Sequence, residues 1–159
     1  MGKKTASTAI NQYVSFALGK EVFAIDVMKI KGVERLSEIT AIPKYPDFIE
    51  GVINLRNEII PIVDLRKRFG MAAAEPTKET RIVLVELDSF SVGLIVDRVF
   101  EVFQLLDNEI GHMPQISRST VGSQFIKGVA EVRDRLIILL DLNSIFSEEE
   151  AQTLSGSVR

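Results

Sequence analysis

Few residues in this sequence have the types and spacing that enzymatic chemistry requires. His112 is the single histidine and cysteine is absent, so the chain offers one imidazole and no thiolate. A catalytic histidine works beside a nucleophile or a second acid, whereas His112 lies in a polar segment close to Pro114. This setting favours a surface position for His112 and argues against histidine-assisted nucleophilic catalysis. The absence of cysteine excludes thiolate catalysis and cysteine-based metal sites.

The carboxylates and the glycines give no catalytic pattern either. Asp64 and Asp141 stand at equivalent positions of two similar segments, which favours capping of a helical turn over an acid–base pair. Glu148 to Glu150 form the acidic start of a predicted C-terminal helix. The glycines are scattered singly, so no glycine-rich loop is available to hold a phosphate. We therefore expect no enzymatic activity, no cofactor and no metal site.

Arg56 is the polar residue whose position suggests a function. It follows the run Gly51-Val-Ile-Asn-Leu55 and precedes Asn57, a residue type that tolerates the left-handed backbone of a tight turn. An arginine held on such a turn among apolar neighbours is typical of a contact residue in a protein interface. A solvated turn residue is the alternative interpretation.

The composition indicates a soluble protein with a sizeable core. The chain has 159 residues, of which 46% are hydrophobic, and its net charge of −3 gives no excess of positive charge for nucleic acid. The N terminus has no apolar run of signal-peptide length, and no stretch approaches the roughly 18 apolar residues of a membrane span. We expect a cytoplasmic protein without direct membrane insertion and without a nucleic-acid partner.

The segment that carries Arg56 occurs twice, as Phe48 to Leu65 and as Phe125 to Leu142. Eight of the eighteen positions are identical, where unrelated segments would share about one. The identical pairs are Phe48 and Phe125, Ile49 and Ile126, Gly51 and Gly128, Val52 and Val129, Arg56 and Arg133, Ile60 and Ile137, Asp64 and Asp141, and Leu65 and Leu142. The chain is predicted to contain two copies of one small module.

Each copy begins with an alternating apolar pattern that predicts a β-hairpin. Residues 13–18 and 23–27 form the first hairpin, and residues 82–87 and 92–96 match them in the second copy. Beyond Val27 the apolar spacing becomes three at Ile30 and Val33, with Gly32 between them. This spacing predicts a helical turn or a bulge, with the three side chains either in the core or exposed as a docking stripe.

Several local signals predict how these segments are joined. The prolines near Ile39 and Ile42 predict an ordered loop over one end of a barrel, and Pro61 places its strand at a sheet edge or at a bulge. Gly70 closes a short helical turn that begins at Asp64. Ser147 with Glu150 three positions later is a capping box for a C-terminal helix.

The predicted domains follow the repeat. Residues 12–76 are the first β-barrel subdomain, residues 77–147 are the second, and residues 1–11 and 148–159 are terminal segments, the N-terminal one frayed. The boundary lies in the small, polar stretch that ends near Pro76.

These motifs resemble the CheW family of chemotaxis coupling proteins. The resemblance rests on Gly51 to Arg56 followed by Ile59 to Leu65, and on Phe23 to Asp26 and Val92 to Asp97 in the flanking hairpins. It extends from Tyr13 to Phe146. Asn57 stands where the family has glycine, and asparagine can adopt the same backbone geometry.

The resemblance implies a fold and a function. The fold is mainly all-β, with two similar five-stranded SH3-like barrels side by side, short helical turns and a short C-terminal helix; the first strand can cross to the other barrel. The function is that of a non-enzymatic adaptor between chemoreceptors, the methyl-accepting chemotaxis proteins, and the histidine kinase CheA. Such a protein is monomeric when free, cytoplasmic, and recruited to receptor arrays at the membrane.

The resemblance also implies two binding sites. The residues that match the family's receptor groove are Val27, Ile30, Val33, Gly51, Asn54, Arg56, Val102 and Gly128. There the apolar residues supply contact area for a receptor helical hairpin, Arg56 gives direction and the glycines allow close approach. The residues expected at the contact with the CheA regulatory domain are Ile39, Ile42, Gly111, His112 and Ile116.

Two other functions are compatible with a double barrel. One is a detached regulatory domain of a kinase, or the coupling half of a fusion with a receiver domain. The other is an enzyme or small-ligand binder with its site between the barrels, which would require convergent polar groups there.

Overall fold

The structure is a computed structural model that describes residues 9–88, 90–111 and 122–157. Within these residues the chain forms two five-stranded sheets and two helices. The first five strands are β1 (Ile10–Leu18), β2 (Glu21–Asp26), β3 (Ile30–Arg35), β4 (Ile49–Leu55) and β5 (Glu58–Asp64). The next are β6 (Arg81–Glu86), β7 (Ser91–Val96), β8 (Arg98–Leu106), β9 (Ile126–Val132) and β10 (Arg135–Leu140). The helices are α1 (Leu65–Arg68) and α2 (Glu148–Ser157). The predicted all-β class with two five-stranded units is confirmed.

The two sheets exchange strands between the two repeats. The first sheet has the order β8-β1-β2-β10-β9, and the second has the order β3-β6-β7-β5-β4. The sequence repeat matches β1 with β6, β2 with β7, β3 with β8, β4 with β9 and β5 with β10. Replacing each strand by its match converts the first order into the second. Each sheet therefore joins the first hairpin of one repeat to the last three strands of the other, like a domain-swapped dimer within one chain.

This exchange corrects the division of the chain at residue 76. Residues 12–76 supply β1 and β2 to the first sheet but β3, β4 and β5 to the second. The crossing expected for the first strand involves the whole hairpin of β1 and β2. The physical reason is that an isolated two-stranded hairpin is at best marginally stable and has to extend a larger sheet.

The inner strands of each sheet are buried on both faces, and their apolar side chains belong to three clusters. In β2, Val22 and Ala24 point to one face of the first sheet and belong to an apolar cluster formed by that sheet alone. Phe23 and Ile25 point the other way, into a central core between the two sheets. The same alternation places Ile62 and Val63 of β5, Leu84 and Val85 of β6, and Leu139 and Leu140 of β10 on opposite faces. Because both faces are covered, these strands consist of nearly continuous apolar runs.

Side chains also link the outer strands of the first sheet. Arg133, in the turn after β9, donates from Nη1 to Glu101 Oε2 of β8 at 2.7 Å. Lys127 of β9 donates from Nζ to the Tyr13 hydroxyl of β1 at 3.2 Å. Since β9 and β8 stand at opposite ends of the strand order and β1 is the neighbour of β8, these contacts indicate that the sheet curves towards closure as a barrel.

The predicted helix caps are confirmed. The Asp64 carboxylate accepts from the backbone N–H groups of Arg66 and Lys67 at the start of α1. Its equivalent, Asp141, accepts from the N–H of Asn143 at the start of a short 3-10 helix. For α2, Ser147 and Glu150 exchange the two hydrogen bonds of a capping box, at 2.8 and 3.1 Å.

The segment between β2 and β3 contains both of the predicted features. Val27–Lys29 form a single 3-10 turn, and the pairing of β3 with β6 shifts register between Ile30 and Gly32. The helical turn carries the chain from the first sheet to the second. The bulge then changes which side chains of β3 point to each face of the second sheet.

Two local predictions need correction. Pro61 lies in β5, which is an inner strand of the second sheet, and the register shift falls in β4 between Ile49 and Gly51. Proline is tolerated there because the ladder with β7 begins only at Ile62. At the N terminus, Ile10 and Asn11 belong to β1 instead of a frayed segment, because they pair with β8.

Asp97 ties the two sheets together at the link between β7 and β8. Its carboxylate accepts from Arg66 Nε at 3.0 Å, from Arg66 Nη2 at 2.5 Å and from the Gly19 N–H at 2.8 Å. Burial acts to raise the pKa of Asp97, but the hydrogen bonds from Arg66 and Gly19 and the charge of Arg66 together lower it. Asp97 therefore joins the β1–β2 turn of one sheet to α1 beside the other.

Asp97→Asn is expected to lower the free energy of unfolding at pH 7 by about 1 kcal/mol, because it removes a charge-assisted hydrogen-bond network. The wild-type contribution is complete above the ordinary aspartate pKa of about 4 and is lost as the pH falls through the lowered pKa. Urea unfolding at pH 7 and at pH 3 should show that the variant loses less stability on acidification than the wild type. Asp134→Asn, at an exposed turn position, serves as the control and should keep the wild-type acid response. Parallel acid responses of Asp97→Asn and the wild type would contradict the assignment.

Candidate partner-binding surface

Arg56 lies at the tip of the β4–β5 hairpin in a strained two-residue turn. Both Arg56 and Asn57 have positive φ, 53° and 67°, which is the geometry of a type I′ turn. The equivalent turn between β9 and β10 has the same form, with φ of 54° at Arg133 and 64° at Asp134. Asparagine tolerates this backbone region, whereas for arginine it costs energy. The sequence predicted the left-handed conformation for Asn57 only.

The two turn arginines differ in their partners. Arg133 pairs with Glu101 of β8. The repeat places Gly32 of β3 at the position of Glu101, so Arg56 lacks the equivalent carboxylate. Arg56 is exposed, and it has no hydrogen bond or ion pair to any residue in the described part of the chain. Its guanidinium is therefore available to a binding partner.

The apolar stripe of Val27, Ile30 and Val33 is only partly exposed. Ile30 is half-buried and packs against the central core, and Val27 is also half-buried. Val33 is 43% exposed and Val102, its equivalent on β8, is 55% exposed. Both interpretations of the stripe thus apply, since Ile30 supports the core and Val33 faces solvent.

The two glycines of the predicted receptor site have a different role from the one expected. Gly51 and Gly128 are both buried. A Cβ on Gly51 would overlap the Thr40 carbonyl oxygen, and one on Gly128 would lie 2.8 Å from the Gly111 carbonyl oxygen. Each of these loop residues bridges to the residue after the glycine, Val52 or Val129. The glycines thus permit close approach of the protein's own loops, which leaves no free face there for a receptor.

The predicted receptor residues divide between the two sheets. Asn54 is exposed on β4 of the second sheet, opposite Ile59 of β5. β3 and Gly51 belong to the same sheet, and Val27 lies in the turn that leads into it. Val102 and Gly128 belong to the first sheet. The structure therefore gathers most of the predicted groove on the second sheet.

The residues predicted for kinase contact are only partly described. Ile39 is half-buried and packs on the interior cluster of the second sheet, as the predicted loop over a barrel end requires. Ile42 is half-buried and Gly111 is exposed. His112 and Ile116 lie outside the described residues.

Sequence reasoning missed several exposed apolar side chains. Met28 is 85% exposed, and Leu136 and its equivalent Ile59 are exposed at the same position of two hairpins. Phe100 on β8 lies between Arg98 and Arg135, whose guanidinium carbons are 5.3 and 5.9 Å from the ring centroid. The repeat could have identified Ile59 and Leu136, because apolar residues at equivalent hairpin tips are unexpected for solvated turns.

Comparison with known proteins identifies the family. The sequence model of the CheW-like domain matches residues 12–150, which include both sheets. This chain belongs to the CheW-like family.

Its CheW relatives agree with it along almost their whole length. A chemotaxis protein CheW from Thermotoga maritima is 36% identical over 150 residues, covering 91% of this chain and 95% of that protein. A probable chemotaxis protein CheW from Rhizobium etli is 33% identical over 149 residues, covering 94% and 96%. The crystal structure of the scaffolding protein TtCheW from Thermoanaerobacter tengcongensis has a TM-score of 0.81 and 37% identity, covering 89% and 91%. TtCheW therefore has the same fold as this chain over most of its length.

Two further features of this CheW-like chain concern membranes and metals. Among the described residues, none of the helices combines the length and the apolar character that crossing a bilayer requires. The same residues contain no group of three or more histidines or carboxylates placed to hold a metal ion.

Proposed function

We propose that this chain is a non-enzymatic adaptor that couples chemoreceptors to the histidine kinase CheA in bacterial chemotaxis. The observation that carries the proposal is the CheW-like match over residues 12–150, because it includes both sheets and the links between them. The relatives are chemotaxis proteins, and TtCheW is described as a scaffolding protein. In this role the chain works in the cytoplasm, at receptor arrays on the membrane.

The described surface suits protein partners. Val33, Val102 and Met28 expose apolar area, and Arg56 presents, on a fixed turn, a guanidinium that has no partner among the described residues. Interfaces combine apolar contact area with a few arginine or aromatic anchors, and these residues supply both. A receptor helical hairpin would contact the apolar residues of β3 and pair an acidic group with Arg56. The CheA regulatory domain would bind at the loops that contain Ile39, Ile42 and Gly111.

Arg56→Glu tests the proposal. Titration calorimetry of the wild type should detect binding both to a chemoreceptor cytoplasmic fragment and to a CheA regulatory domain. We expect Arg56→Glu to weaken receptor binding at least about tenfold, since it reverses the charge of an anchor, and to leave kinase binding unchanged.

Arg133→Glu is the matched control, because it makes the same change in the equivalent turn, where the arginine already pairs within the chain. It should retain receptor binding. A folded wild-type protein that binds neither partner would overturn the proposed function. An equal loss of receptor binding in both variants would show that Arg56 has no special role.

A further inference from the structure

The two repeats differ in how one end of each sheet is closed. At the second sheet, Lys67 Nζ pairs with Glu50 Oε2 at 2.9 Å. Beside it, Arg66 Nη2 pairs with Asp97 Oδ2 at 2.5 Å. These two ion pairs join β4, α1 and the link between β7 and β8, so charged side chains of the chain itself occupy this end of the sheet.

Neither ion pair can form at the equivalent end of the first sheet. The repeat places Lys127 at the position of Glu50 and Ser144 at that of Lys67. It also places Asn143 at the position of Arg66, and Met28 at that of Asp97. A cleft of about 280 Å³ remains there, at the ends of β2 and β10 and the start of β9.

The carboxylates that line this cleft are already engaged. Asp26 accepts from the Met28 N–H at 2.9 Å. Asp141 accepts from the Asn143 N–H at 3.2 Å and from the Ser144 hydroxyl at 2.8 Å. Both therefore act as caps of short helical turns in the chain itself.

Both lysines that line the cleft have donors without a partner among the described residues. Lys127 uses one N–H of its ammonium group on the Tyr13 hydroxyl, and an ammonium has three. Lys29 has no hydrogen bond or ion pair to any residue within the described ranges. Two cations with spare donors at one cleft are suited to an anion that can accept from both.

We propose that this cleft binds a carboxylate side chain of the chemoreceptor, with Lys29 and Lys127 as its donors. The inference rests on the proposed adaptor function and adds to it a determinant of receptor specificity. A receptor occupant is favoured because Lys29 stands in the same 3-10 turn, Val27–Lys29, as Val27 of the predicted receptor groove and Met28, which is 85% exposed. An amphipathic receptor helix would set apolar side chains on Met28 and its acidic residue between the lysines.

The double substitution Lys29→Gln with Lys127→Gln tests the inference. It removes both charges and keeps side chains of similar length. Titration of a chemoreceptor cytoplasmic fragment should show binding about tenfold weaker than that of the wild type, with a flatter dependence on salt concentration, because complementary charges govern both. Binding to the CheA regulatory domain should be unchanged.

Lys20→Gln with Lys78→Gln is the matched control. Both lysines are exposed, neither lines the cleft, and the change in net charge is the same. This variant should bind the receptor fragment with wild-type affinity and salt dependence. Thermal unfolding of all variants keeps a loss of fold separate from a loss of contact.

The acidic partner can be located with double-mutant cycles. Each Glu or Asp near the tip of the receptor fragment is replaced by Gln or Asn, and one of them should lose its effect when Lys29 and Lys127 are already Gln. Wild-type receptor affinity in the lysine variant, or a loss confined to the kinase domain, would overturn the cleft assignment while the adaptor function stands. A wild-type protein that binds neither fragment would overturn the adaptor function itself.

Discussion

Gly51→Ala is expected to lower the free energy of unfolding by at least about 3 kcal/mol, since it combines steric overlap with backbone strain. The new Cβ would overlap the Thr40 carbonyl oxygen and lie 3.0 Å from Ala41 Cα, and both are backbone atoms that cannot rotate away. Gly51 also has φ of 149°, a region that is essentially restricted to glycine. Relief would require loss of the paired hydrogen bonds between Thr40 and Val52, both 2.9 Å. Urea unfolding measures the difference.

Two other glycines serve as controls. Gly70 has φ of 74°, but a Cβ added there would meet no atom within 4 Å, so Gly70→Ala should cost only about 1 kcal/mol of backbone strain. At Gly128, a Cβ would meet the Gly111 carbonyl oxygen at 2.8 Å and Ile110 Cγ2 at 2.7 Å, which predicts an intermediate loss. Equal stability of the Gly51 and Gly70 variants would show that the Thr40 loop moves away freely.

The burial of Gly51 and Gly128 affects how losses of binding in glycine variants should be interpreted. Because Gly51 and Gly128 are buried beneath loops of the chain, their substitution would alter the surfaces those loops carry. A loss of receptor binding in such variants would therefore reflect a displaced loop or an unfolded protein. Contact roles are better tested at surface side chains such as Arg56, which is exposed, and Lys29, which is half-buried.

Arg68→Met is expected to lower the free energy of unfolding by about 3 kcal/mol, because several interactions of a largely buried cation are lost together. The guanidinium carbon lies 4.4 Å from the Phe48 ring centroid and 5.3 Å from that of Phe125. Arg68 also donates to the Ile145 carbonyl at 2.7 Å and to Glu150 Oε1 at 2.9 Å. Phe48 and Phe125 are equivalent in the repeat and lead into β4 and β9, so Arg68 connects both sheets with α2.

Arg98→Met is the matched control for this effect. Arg98 also has a carboxylate partner, Glu79 at 3.5 Å, and an aromatic neighbour, Phe100, but both side chains of its ion pair are more than half exposed. Exposed ion pairs contribute little, so this variant should lose less than about 1 kcal/mol. Chemical denaturation followed by circular dichroism compares the two. Similar losses in Arg68→Met and Arg98→Met would mean that the position between the two rings has no special energetic role.

The two repeats carry different side chains at equivalent ends of the two sheets. Glu50 and Lys67 close one sheet with an ion pair, whereas Lys127 and Ser144 stand at the same positions in the other. The same holds for the turn arginines, since Arg133 is paired and Arg56 is free within the described residues. Equivalent backbones thus carry different binding chemistry.

Residue patterns within short stretches of the chain were enough to predict the local structure and the family. Period-two patterns located the hairpins, and Asp64, Asp141 and Ser147 located the helix starts, because strands and caps depend on residues close together in the chain. The repeat of residues 48–65 predicted two similar units, and its motif predicted the CheW family. The exposed turn arginine of the candidate site was also predicted in this way.

The identity of neighbouring strands became known from the three-dimensional fold. A period of two shows that side chains alternate, but it does not say which sheet covers each face. For this reason the inclusion of β2 in the exchange, the inner position of Pro61 and the burial of Gly51 were not predicted. Each depends on contacts between residues that are not neighbours in the chain, such as the bridge between Thr40 and Val52 or the pairing of β2 with β10. The hairpin of β1 and β2 pairs with strands of the other repeat because a two-stranded hairpin alone is at best marginally stable.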